Sequence, residues 1–330
     1  MQKTIWDKYA EVLVDYSTNV QKGDLVQIRA TSIYAKELVK AVYKRVIQKG
    51  ANPILRTSFE DFSDIFIKYA SDEQLDYIDP MIKLEYETVN KFISIGAPMN
   101  TKNMARADLG KLARRSKASQ GLSKTLMDRT AKGEASWVIA DVPTHALAQE
   151  AKMSFDEYSE FLFKSCYLDL DDPVAKLREL DEKQTKWANY LNGVKKVRIV
   201  GDRTDITFGV EGRKWISCSG VNNYPDGEVF TSPVEDDING EIYFDFPQNY
   251  RGNSATGVHL KQDVTIWKQC SIWTMVQRVL AKLLLARTMK SKKLQEIFFL
   301  MKKLADLFTW LSVRLIRKPV ERMCQDFIGI

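Results

Sequence analysis

The chain has 330 residues, 45% of them hydrophobic and 28% charged, with a net charge of +6. This is the make-up of an ordinary globular protein of about two domains, and it excludes a low-complexity chain. Arg278 and Lys282 interrupt the best candidate for the roughly 18 uncharged apolar residues of a membrane span, and the N-terminus lacks the apolar core of a signal peptide. The four cysteines (Cys166, Cys218, Cys270, Cys324) form no CxxC pair, so reduced cytoplasmic thiols are expected rather than a thiolate metal site. The charge is uneven: residues 262–330 carry 13 Lys/Arg against 5 Asp/Glu and a single glycine, Gly329, whereas residues 1–261 carry 36 against 38.

In chain order, Ile5, Tyr9, Val12, Leu13 and Tyr16 predict an amphipathic helix over 4–17. Gly23-Asp24 turns into a strand, Leu25–Ile28. A helix follows with Leu38, Val39, Val42, Tyr43 and Val46 on one face and Gly50 as its cap, then a strand at Pro53–Arg56. Helices over 58–70 and 73–89 precede a strand at Lys91–Ile95. A helical stretch over 104–132, interrupted near Gly121, precedes another strand at Trp137–Ala140. Helix–strand alternation predicts a parallel sheet with helices on its faces. Helices follow over 144–151, 154–166 and 172–192, the second opening on a Ser154/Glu157 capping box.

Near 195 the pattern changes to short strands with Gly-rich turns: Val197–Val200, Asp205–Val210, Lys214–Ile216 and Ile242–Phe244. The reading is an α/β N-terminal domain, 1–194, and a β-rich C-terminal domain, 195–330, whose residues 262–330 form a divergent basic tail. Ile272, Val276, Val279 and Leu283, then Leu294, Ile297, Met301 and Phe308, give that tail two helical apolar stripes. A solvated helical hairpin explains it without nucleic acid, since basic and aromatic residues do not interleave.

The chemistry is sparse. No GxGxxG or GxxxxGK[ST] follows the early strands, where Ala30-Thr31-Ser32 stands instead. The two histidines, His145 and His259, do not have metal-motif spacing, and Glu235-Asp236-Asp237 reads as a solvated turn. The informative stretch is Asn222-Asn223-Tyr224-Pro225-Asp226-Gly227-Glu228-Val229-Phe230-Thr231-Ser232-Pro233, where turn chemistry feeds a short strand and holds Glu228 at the joint.

That stretch resembles the M29 family of metallo-aminopeptidases. Lys8-Tyr9-Ala10-Glu11, Lys22-Gly23-Asp24, Ala148-Gln149-Glu150-Ala151, Asp172-Pro173-Val174 and Gly212-Arg213-Lys214-Trp215 follow the family in order over about residues 4–261. The resemblance implies a metallopeptidase-like C-terminal domain, a homodimer acting on peptides, and two divalent metals (cobalt, zinc or magnesium). It makes Glu228 a metal ligand. Ser291-Lys292-Lys293-Leu294-Gln295-Glu296-Ile297 is similar to the segment that carries a second ligand glutamate, which makes Glu296 the other. The family's later ligands and catalytic groups are histidines, a tyrosine and an aspartate, and after Glu296 this chain has no histidine or tyrosine. The alternative expectation is therefore a truncated or frame-disrupted remnant without catalysis.

Overall fold

The computed structural model describes residues 3–201, 203–234 and 237–244, together with the strand backbone at Gln248–Tyr250, Asn253–Ala255 and Val258–Lys261. The described chain groups into two compact units. One runs to Leu177 and takes in Gly220–Asp226; the other holds Arg178–Ser219 and the chain from Gly227 on.

The first unit opens on a capping box. Thr4 accepts from the Asp7 backbone N–H, and the Asp7 carboxylate accepts from Thr4, starting α1 (Ile5–Glu11). The predicted helix over 4–17 continues as a π-helical segment, Val12–Ser17. Strand β1 (Leu25–Ala30) leads to α2 (Lys36–Gln48), which buries Leu38, Val39, Val42 and Val46. Tyr43, expected on that face, is 39% exposed. Gly50, at φ +72, ends the helix in the left-handed region that favours glycine, and β2 (Asn52–Thr57) follows.

Next come α3 (Asp61–Tyr69), α4 (Asp72–Asp76), α5 (Pro80–Thr88) and β3 (Lys91–Gly96). The single helix expected over 73–89 is two, because Pro80 can start a helix but not continue one. Helices α6 (Leu109–Ala118) and α7 (Gln120–Ala131) meet at Ser119, two residues before the expected break. After them stand β4 (Ser136–Asp141), α8 (His145–Glu150), α9 (Phe155–Ser165) and α10 (Pro173–Leu191).

The strands β5 (Lys196–Gly201), β6 (Thr204–Gly209), β7 (Ile216–Cys218), β8 (Asn223–Tyr224), β9 (Glu228–Phe230) and β10 (Ile238–Phe244) come next, then β11 (Gln248–Tyr250), β12 (Asn253–Ala255) and β13 (Val258–Lys261). In the first unit a parallel sheet runs β2-β1-β3-β4-β8, and the helical crossovers account for the parallel pairing. Its core includes Ile28, Leu38, Ile93, Ile95, Leu147 and Leu162, all fully buried. The two-residue strand β8 falls inside the stretch expected to be a turn.

The second unit is antiparallel. One sheet runs β13-β10-β6-β5, and β7 pairs with β9. Ile206 and Phe208 are buried on alternate positions of β6, the period of a sheet with one covered face. Glu296 and the predicted tail helices lie outside the described residues.

Candidate metal centre

The stretch Ile216–Phe230 folds as a long hairpin. Strands β7 and β9 pair in the register Ile216↔Phe230, Ser217↔Val229 and Cys218↔Glu228. Val229 is fully buried and anchors β9, as its apolar side chain requires. Trp215, also buried, precedes β7, and its backbone N–H donates to Asn192 Oδ1 at 2.8 Å. Thr231 Oγ1 donates to the Lys214 carbonyl at 2.8 Å, tying the open end of the pair together.

Asp181 of α10 sets which face β7 presents. Ser217 Oγ and Ser219 Oγ each donate to Asp181 Oδ1 at 2.9 Å. Successive side chains on a strand point to opposite faces, so holding 217 and 219 toward α10 turns Cys218 the other way. Its partner across the pair is Glu228, and opposed residues share a face.

The connection between the strands is held within the first unit. Ser17 Oγ donates to the Gly220 carbonyl at 2.6 Å, and Asn222 Nδ2 donates to the Trp137 carbonyl at 3.2 Å. Ile139 N–H donates to the Asn222 carbonyl at 2.8 Å. Tyr224 is fully buried, donates to the Cys166 carbonyl, and meets the Tyr9 ring edge-on at 5.4 Å. Gly220 sits at φ +93, and a Cβ there would stand 3.2 Å from the Tyr224 ring. Asp226 closes this connection two residues before Glu228.

Cys218, Asp226 and Glu228 each present one ligand atom, and these atoms lie within 4.8 Å of one another on that single hairpin. All three are half-buried. Two carboxylates and a thiol are a donor set that fits a divalent cation of borderline softness. Glu228 is where its place at the turn–strand joint puts it. Asp226 belongs to the same stretch, but in the sequence its turn chemistry alone accounts for it. Cys218 escapes sequence reasoning, because the intervening chain conforms to no ligand spacing and only the antiparallel register brings it opposite Glu228.

His145 begins α8 beside the cap Thr144, and its ring packs on Phe155 at 4.6 Å. His259 lies in β13 opposite Tyr243. Asp237 pairs with Lys196 at 3.3 Å, while Glu235 and Asp236 lie outside the described residues.

A family profile for thermophilic metalloproteases, M29, matches residues 2–263. Aminopeptidase 2 of Geobacillus stearothermophilus is 30% identical over 282 residues, covering 77% of this chain and 66% of that one. Aminopeptidase AmpS of Bacillus subtilis (strain 168) is 24% identical, covering 74% and 65% respectively. The fold is similar to that of wild-type AmpT from Thermus thermophilus, with a TM-score of 0.65 at 19% identity, covering 79% of this chain and 69% of that one. The chain thus spans just under two thirds of the length of the curated relatives it matches. With a family match across most of its length, this chain belongs to the M29 family of thermophilic metalloproteases.

Proposed function

We propose that this chain is built for metal-dependent removal of N-terminal residues from peptides, acting as a cytoplasmic homodimer. The observation that carries the reading is the position of Glu228, the glutamate of the stretch that resembles the family, beside a second carboxylate and a thiol on one braced hairpin. No helix among the described residues is long and apolar enough to cross a membrane.

In this reading Glu228 and Asp226 hold the cation, and Glu296 supplies the second glutamate of a two-metal site. Zinc, cobalt or magnesium bound there supplies Lewis acidity toward the scissile carbonyl and the attacking water. The chain's own work is positional. Asp181 holds β7 through two serines, so Glu228 keeps a fixed register partner. Tyr224 and Asn222 fix the connection that delivers Asp226. Fixing donors before the cation arrives removes the ordering entropy that a loose loop would spend on binding.

A second reading keeps the fold and loses the reaction. It is favoured by the position of His145, packed on Phe155 rather than among the clustered ligands. The assay that separates the two is hydrolysis of aminoacyl-p-nitroanilides by the full chain with added zinc or cobalt. Turnover that disappears in Glu228→Gln supports the aminopeptidase. No turnover in a folded, metal-loaded chain supports the second reading.

A further inference from the structure

We infer that Cys218 is a thiolate ligand to the cation held at Glu228, which makes this a thiophilic site rather than an all-oxygen one. The inference rests on the metallopeptidase reading of Glu228 and assigns a donor that the expected carboxylate set does not contain.

Three observations carry it. Cys218 is directly opposite Glu228 in the β7–β9 pair, so both side chains leave the same face. Its thiol is half-buried and forms no disulfide among the described residues, so the ligand atom it brings is a reduced sulfur. The Ser217–Asp181 and Ser219–Asp181 bonds on either side prevent β7 from turning that thiol away.

Distance then decides whether one ion can reach all the donors. Around a tetrahedral zinc, a thiolate sulfur at about 2.3 Å and a carboxylate oxygen at about 2.1 Å stand about 3.6 Å apart. The three ligand atoms here are within 4.8 Å of one another before any ion draws them in. Closing the difference takes side-chain rotation, with the backbone pair left as it stands.

Ligand chemistry fixes the preference. Magnesium demands hard oxygen donors and octahedral geometry, whereas thiolate favours zinc, cadmium and cobalt. A site of one sulfur and two carboxylates therefore selects zinc or cobalt over magnesium.

The test is a titration of the full-length chain with cobalt, read by near-ultraviolet absorbance. The expected result is a thiolate-to-cobalt charge-transfer band that saturates with binding, persists in a Cys270→Ser/Cys324→Ser background, and disappears in Cys218→Ser. Zinc affinity of Cys218→Ser, measured by competition with a chelating dye, should fall by about tenfold or more, the scale seen when even the supporting groups of a metal site are lost. Circular dichroism confirms that the variant folds, and Cys218→Ala provides a second variant if serine retains weak binding. Cobalt binding without the band, or an unchanged band in Cys218→Ser, overturns the inference. Failure of the two readings is distinguishable: the band without peptidase activity leaves the thiolate ligand standing and removes the enzyme, while activity without the band does the reverse.

Discussion

Ser217 and Ser219 both donate to one carboxylate oxygen of Asp181, at 2.9 Å each, and Cys218 lies between them with Glu228 as its cross-strand partner. One acidic side chain on α10 thus orients a strand whose intervening residue faces the candidate centre. Asp181→Ala removes the acceptor that both serines share. Hydrogen bonds to a charged group contribute about 1.5–3 kcal/mol, so a loss of about 2 kcal/mol in urea unfolding is expected, together with weaker zinc binding. Unchanged stability and affinity would show that the hairpin holds its shape without α10.

Asp141 ends β4 opposite Gly96, is 5% exposed, and has an Oδ1 with no hydrogen-bond partner among the described residues. Burial pushes its carboxyl up to about 7. Below about pH 4 the folded and unfolded carboxyls are both protonated and nothing is lost. Between about 4 and 7 the unfolded carboxyl has ionised while the folded one keeps its proton, so stability falls as pH rises; above about 7 the loss is complete. At about 1.4 kcal/mol per pKa unit the full loss is about 4 kcal/mol. The neighbouring Tyr9 phenol and Cys166 thiol are pushed upward by burial and stay neutral in this window. Asp141→Asn should therefore gain on the wild type between pH 5 and pH 8 in denaturant titrations. A difference that does not change with pH would contradict the assignment.

The same corner has no room for a side chain on Gly96, since a Cβ there would stand 1.9 Å from Asp141 Oδ1. Gly96→Ala is expected to lower stability by about 1–3 kcal/mol, the range for overpacking a close-packed interior. Gly133→Ala is not a matched control, because Gly133 lies at φ +74, a region unfavourable to alanine. Gly121, with open space around it and no positive φ, is one: Gly121→Ala should be neutral or stabilising within α7.

Glu85 is 8% exposed and bonded on both sides: Gln27 Nε2 donates to it at 2.7 Å, and Arg56 pairs with it at the surface. Gln27 itself is 7% exposed, so removing its acceptor strands a buried amide. Glu85→Leu should cost about 1–3 kcal/mol through that orphaned donor, and Glu85→Gln less, because an amide oxygen still accepts. Equal losses in the two variants would place the effect on the Arg56 ion pair instead.

The parallel strands are legible in the sequence because each is a short apolar run closed by Gly, Pro or a helix cap, as at Leu25–Ile28 and Lys91–Ile95. The split of 73–89 is also legible in principle, since Pro80 stands at its centre and Asp79 caps the helix that Pro80 begins. Strand β8 is not. Two residues carry no period, and Asn223-Tyr224 joins the sheet through the parallel partners Ile139 and Ala140, more than eighty residues earlier. The candidate centre is only partly legible for a related reason. Glu228 and Asp226 are neighbours in sequence, whereas Cys218 becomes a neighbour only once the antiparallel register exists. The absence of a CxxC pair argues against a zinc ribbon; it does not bear on a single cysteine facing a glutamate across two strands.

Metal binding by Glu228 is measured by equilibrium dialysis of the wild type and Glu228→Gln against zinc, followed by elemental analysis of the retained protein. Stoichiometric zinc is expected in the wild type and its loss in the variant, with both folded by circular dichroism. Equal zinc in the two proteins would contradict a metal-binding role for Glu228.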